Sequence, residues 1–175
     1  GLVALAGDGT PQLPQLEGPQ LIEAGGAGGD GPLRSSLQKL KPANAVVGTK
    51  VRLAPGEFGR IDDAVRISLE GSLARLRLDR VDILHLHNPI TEQGGGSALG
   101  VRQVLDDVVP AFERLRRQGK IRFLGMTAVG DTAALHQVID ARVFDSAQIV
   151  YNMLNPSAAE ALPEVTDEGR TYTFR

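Results

Sequence analysis

The chain reads as an α/β protein, a partial (β/α)8 TIM-type barrel built on parallel strands. Three observations predict this fold class. Short apolar runs alternate with amphipathic segments from Ala43 to about Pro156. The strand-plus-helix unit recurs every ~35–40 residues, the spacing of the βαβ crossovers that make parallel sheets. Polar residues also collect where the apolar runs end: Thr49 and Lys50, His87 and Asn88, Thr127, then Gln148 and Asn152. In a barrel that C-terminal rim carries the active site. The competing architecture is an open, doubly wound sheet marked by a dinucleotide fingerprint. The glycine-rich runs "GGAGGDG" and "EQGGGSALG" do not stand between a strand and a helix as that fingerprint requires, so the barrel is preferred.

Each element has its own signal. Residues 1–42 hold five of the ten prolines and show no helical period, so they read as an irregular Gly/Pro-rich segment, with a degraded strand at 20–24. "NAVVGTK" is a short buried strand. The next segment places Ile61, Val65, Leu69, Leu73 and Leu76 at helical spacing. "VDILHLH" is a strand, and "EQGGGSALG" after it reads as a flexible loop on the substrate side. Leu105, Val108, Phe112 and Leu115 form one helical stripe that Gly119 closes, while Pro110 inside it predicts a kink or a late start. "IRFLGMT" is the next strand. Asp131 is placed to cap a helix carrying Leu135, Val138 and Ile139. "AQIVYN" is a further strand, and residues 157–175 read as an irregular tail. The domain plan is therefore 1–42, a barrel segment at 43–156, and 157–175.

Composition narrows the function. With no cysteine, disulfides, thiolate catalysis and cysteine-based zinc sites are excluded. A net charge of −2 gives no reason to expect nucleic acid or an anionic membrane as partner. No apolar run approaches the ~18 residues that span a bilayer, and "GLVALAGDGT" lacks the basic start of a secretory signal. A cytoplasmic location is the expectation.

His85 and His87 stand two apart on one strand and share a face, with Leu84 and Leu86 on the other. If His87 reaches the rim, His85 lies one layer deeper as a hydrogen-bonded interior residue. A metal site from the pair is disfavoured, because no third carboxylate or thiolate ligand stands nearby.

Four motifs, in order and in context, resemble the aldo-keto reductase family: "GTK" at 48–50, "SLARLRLDRVDILHLHNP" at 72–89, "QGKIRFLG" at 118–125 and "AQIVYNMLNP" at 147–156. The resemblance implies an oxidoreductase that transfers hydride from NADPH to an aldehyde or ketone, with a small-molecule carbonyl substrate. In that family a tyrosine is the general acid, tuned by a lysine that pairs with an aspartate, while a histidine orients the carbonyl. Carried over by position, Lys50 matches the lysine and His87 the histidine. Gln148 matches the glutamine that bonds the nicotinamide carboxamide, with Thr127 and Asn152 beside it as cofactor contacts. A donor at the carbonyl oxygen lowers the barrier as charge builds there.

The departures are as specific as the match. Aligning "LIEAGGAGGDG" at 21–31 with the family's second strand puts Glu23 where the aspartate stands and Gly28 where the tyrosine stands. After "GM", the family's Ser-Asn pair is replaced by Thr127 and Ala128. The text carries about strands 2 or 3 through 6 of a barrel that usually takes about 250 residues, and strands 7 and 8 are not recognised. The alternative reading is a catalytically impaired, truncated member, a binding or structural remnant or a mis-framed gene product. Open sheet edges invite pairing, so a homodimer in which two chains cover each other's edges is a further expectation.

Overall fold

The computed structural model describes residues 21–23, 46–149, 165–167 and 170–172. In chain order the first elements are β1 (Leu21–Glu23), β2 (Val46–Val51), a 3-10 helical turn (Pro55–Glu57), α1 (Ile61–Leu76) and β3 (Ile83–Leu86). Three short strands follow, β4 (Ile90–Thr91), β5 (Gln93–Gly95) and β6 (Ala98–Gly100). Next come α2 (Val101–Gln103), a π-helical turn (Val104–Val108) and α3 (Val109–Arg117). The series ends with β7 (Phe123–Thr127), α4 (Thr132–Asp140), β8 (Ser146–Gln148), β9 (Val165–Asp167) and β10 (Arg170–Tyr172).

The main sheet has the order β1-β2-β3-β7-β8 with every pairing parallel. That order never reverses. A doubly wound sheet needs a reversal to put helices on both faces, whereas successive right-handed crossovers without one leave all the helices on one side. The sheet is thus a sector of a (β/α)8 barrel. Register follows from alternation. Val51, Leu86 and Met126 lie opposite one another, as do Leu84 and Leu124, and all are buried on the helix side. They meet Val65 and Leu69 of α1 and Phe112 of α3, all fully buried. Each such side chain contributes roughly 1.5–3 kcal/mol on leaving water. Phe112 also meets the Phe144 ring edge-on at 6.4 Å. Lys50, His85, Gly125 and Ser146 form the opposite ladder, on the concave face.

Several sequence expectations need correcting. The helix with Pro110 does not start late: it opens at Val101 and widens into the π turn just before the proline. Proline cannot donate to the preceding turn and its ring pushes on that turn's carbonyl; one widened turn absorbs both effects. Asp131 is the N-cap residue of α4 but makes no side-chain cap bond, and Ile139 is exposed while Ala134, Leu135 and Val138 face the core. The expected loop "EQGGGSALG" is a small sheet of order β4-β6-β5. Gly94, Gly95 and Gly96 all take positive φ, which lets so short a hairpin close. The expected irregular tail pairs β9 with β10 in antiparallel register, Tyr172 opposite Val165, where β-branched and aromatic residues flank a turn-prone "DEG".

Two aspartates tie the strands together at their N-terminal ends. The Asp82 carboxylate accepts from the Val47 amide at 2.9 Å and from Arg122 at 2.9 Å. Asp145 repeats the device, accepting from the Leu124 amide at 2.8 Å. Each carboxylate satisfies a strand-end donor on the neighbouring strand, so both are fold residues at the end opposite the active-site rim.

On the outer surface, Glu70 of α1 accepts from Lys120 at 2.8 Å and from Arg66 at 3.1 Å. The Lys120 hydrogen bond, aided by the charges of Lys120 and Arg66, holds the Glu70 carboxyl below its usual range. A depressed folded-state pKa gives stability that is present above the unfolded value and lost as pH falls through the folded one. Glu70→Gln should therefore lower the urea midpoint modestly at neutral pH, and the gap to wild type should close below the carboxylate range. Paired urea titrations at the two pH values test this; a gap that persists in acid would contradict it.

Candidate active site

The rim is assembled from strand ends. His87 directly follows β3, Thr127 closes β7 and Gln148 closes β8, opposite Thr127 in register. His87 Nδ1 and Thr127 Oγ1 are 3.2 Å apart, and the Thr127 hydroxyl also donates to the Leu86 carbonyl at 3.2 Å. Thr127 is buried, whereas His87 and Gln148 are half-buried, as residues open to a substrate need to be. One layer deeper, Lys50 stands opposite His85.

His85 is an interior residue, fully buried, with Nε2 3.4 Å from the Ser146 hydroxyl. Gly125 makes room for it. A Cβ at Gly125 would lie 2.4 Å from His85 Cδ2 and 2.8 Å from Nε2, so the ring packs directly on the glycine backbone. Among the described residues, no group of three histidines or carboxylates could hold a metal ion.

Two polar residues that the sequence places on the rim belong to the fold. Thr49 is buried on the helix face beside Leu84. Asn88 is fully buried and works as a clamp: its Oδ1 accepts from the Leu53 amide at 2.8 Å, and its Nδ2 donates to the Leu53 carbonyl at 2.8 Å and to the Ser97 carbonyl at 2.9 Å. It fastens the segment after β2 and the β5–β6 turn to the end of β3. For Glu23 the backbone register is defined, opposite Gly48 and two residues before Lys50 in the ladder. Gly28 and Asn152 lie outside the described residues.

A sequence model described as "Aldo/keto reductase family" matches residues 32–168, which overlaps all four motifs and extends beyond both ends of the predicted barrel segment. The chain belongs to this family. L-galactose dehydrogenase of Arabidopsis thaliana is 37% identical over 84 residues, 48% of this chain and 24% of that protein. D-threo-aldose 1-dehydrogenase of a Pseudomonas species is 29% identical over 110 residues, 61% of this chain and 31% of that protein. Among solved structures, an aldo/keto reductase from Klebsiella pneumoniae in complex with NADP and acetate superposes with a TM-score of 0.59 at 23% identity, over 82% of this chain and 47% of that one. Another Klebsiella pneumoniae aldo-keto reductase, in complex with NADPH, gives 0.54 at 24% identity, over 75% and 43%. The chain thus spans about a quarter to a third of these curated relatives and under half of these solved chains. This aldo/keto reductase chain corresponds to part of a barrel, as the strand order independently indicates. Among the described residues no helix is long and apolar enough to cross a membrane.

Proposed function

We propose that this chain carries the carbonyl-side half of an NADP-dependent oxidoreductase site, for hydride transfer between NADPH and an aldehyde or ketone. The observation that carries the reading is the convergence of His87, Thr127 and Gln148 on one rim, with Lys50 one layer beneath. The donor set suits the nicotinamide end of the cofactor. The Gln148 side-chain amide offers both the donor and the acceptor that a carboxamide pairs with, and it stands at a strand end opposite Thr127. When bound, the cofactor supplies the hydride. His87 holds the substrate oxygen, and the Lys50 cation beneath it favours the negative charge that develops there. The relatives named as dehydrogenases of L-galactose and of D-threo-aldoses make a sugar-like substrate the first to try.

Titration with NADPH, followed by cofactor fluorescence, and consumption of NADPH with a model aldehyde test the reading. His87→Ala should leave the fluorescence change in place while turnover falls by about 100-fold or more, the usual size of an acid–base or orienting contribution. No fluorescence change with the unaltered chain would overturn the proposal. It would favour the second reading, a non-catalytic family member, which the glycine aligned with the family tyrosine at position 28 supports.

A further inference from the structure

A groove of about 480 Å³ opens between the small sheet, α2 and α4, and none of His87, Thr127 or Gln148 lines it. Its walls are Glu92 and Gln93 from the small sheet, Val101, Arg102 and Gln103 from α2, and Gln137 from α4. That volume lies within the roughly 300–1,000 Å³ typical of small-molecule sites. The walls are tied to one another. Gln93 is the register partner of Gly100, and Gln103 Oε1 accepts from the Gly100 amide at 3.1 Å. The Gly94 amide donates to Thr91 Oγ1 at 2.9 Å, and Asn88 holds the β5–β6 turn through the Ser97 carbonyl. On the other side Ile90 bridges Gly130, next to the residue that caps α4. The groove is therefore formed before any ligand arrives.

The donor set decides what such a groove can hold. Gln93 and Gln137 each bring an amide donor and an amide acceptor, and Glu92 adds a charged acceptor. Gln103 spends its oxygen on Gly100, so its amide nitrogen is the group it has to offer. Arg102 is offset by Asp106 at 3.8 Å and shares the groove with Glu92, so no surplus positive charge gathers there to hold a phosphate or a carboxylate. A metal ion is no better served, since among the described residues no group of three histidines or carboxylates could hold one. Donors and acceptors side by side match hydroxyl groups, which do both. We propose that this groove binds a neutral saccharide through its hydroxyls, at a place separate from the rim. None of the lining residues is aromatic, so no sugar face is stacked. Affinity rests on hydrogen bonds to partly exposed side chains, each of modest net worth, and dissociation in the millimolar range is expected.

Amide proton–nitrogen spectra of the nitrogen-labelled chain, titrated with methyl α-D-glucopyranoside and then with its galacto epimer, test this without cofactor or turnover. Neither glycoside has a free carbonyl or lactol on which the rim could act. At least one should give saturable shifts at residues 92–94, 100–103 and 137, with the amides of His87, Thr127 and Gln148 unmoved. Glu92→Ala should weaken that binding about tenfold and Gln137→Ala about fivefold, as expected for the loss of a charged and a neutral hydrogen bond. Both side chains are exposed, so neither change threatens the fold. Inorganic phosphate should leave the same amides in place. The proposal is overturned if neither glycoside gives a saturable shift up to about 100 mM, well above a millimolar Kd. Shifts centred on the rim, binding that both variants leave unchanged, or tighter binding of phosphate in the groove would overturn it equally. Loss of NADPH binding would fail the proposed function without touching this result, and a groove that binds no sugar would leave the hydride-transfer reading standing.

Discussion

Gly130→Ala is expected to destabilise the fold by about 4 kcal/mol, a cost that combines a forbidden backbone angle with a backbone collision. Gly130 has φ +137° and forms a lone parallel bridge with Ile90. A Cβ there would lie 1.9 Å from the Ile90 carbonyl oxygen and 2.6 Å from its amide nitrogen. Neither atom can retreat easily. The Ile90 amide donates to the Val129 carbonyl at 2.9 Å, and the Ile90 carbonyl accepts from Asp131 at 2.8 Å. Ile90 itself is fully buried. Gly119→Ala is the matched control. It also has positive φ, +72°, but a Cβ would meet open space. It should cost only about 1 kcal/mol. Urea unfolding of the two variants side by side separates collision from backbone preference; equal losses would show that the close approach to Ile90 costs nothing.

The parts of the fold that were legible in the sequence are those governed by local period. Ile61, Val65, Leu69, Leu73 and Leu76 recur at helical spacing because one helical face must be buried, and all five are buried. The two-residue alternation of "ILHLH" likewise put His85 inside and His87 at the rim. The same alternation also places Asn88 and Thr49. Each sits one residue from a concave-face residue, His87 and Lys50, so each turns away from the site. Polarity alone points to a rim role, and the two-residue period overrides it. The remaining features depend on pairing between segments far apart in sequence. The Thr127–His87 contact, the Asp82 and Asp145 ties and the packing of His85 on Gly125 all need the strand register, which no local pattern encodes. The β4-β6-β5 sheet has no signal in the sequence because three consecutive glycines carry no hydrophobic period, although they suit the positive φ angles of its turn.

A rim made from strand ends is only as well placed as the segments that leave it, which makes Asn88 the most consequential side chain outside the site. Asn88→Ala should cost about 3 kcal/mol. The three bonds it loses are formed in a buried setting, and each backbone group left without its partner carries a desolvation penalty of roughly 1–3 kcal/mol. The Leu53 amide and carbonyl are the most exposed to that penalty, since Leu53 is itself buried and the side chain of Asn88 meets both. Asn88→Asp should do no better, because a carboxylate can still accept from the Leu53 amide but cannot donate to the Leu53 and Ser97 carbonyls, and it adds a buried charge. Glu92→Ala on the exposed edge of the small sheet should stay within about 0.5 kcal/mol of the unaltered chain. Amide exchange gives the local signature: Leu53 and the β5–β6 hairpin should lose protection in Asn88→Ala well before the α1 and β3 core does. Uniform loss of protection across the chain would show that Asn88 supports the fold as a whole; unchanged exchange at Leu53 would show that it fastens nothing. Because Asn88 directly follows His87, the first outcome also predicts a displaced imidazole and a weakened contact with Thr127, which ties the stability of this clamp to the chemistry of the rim.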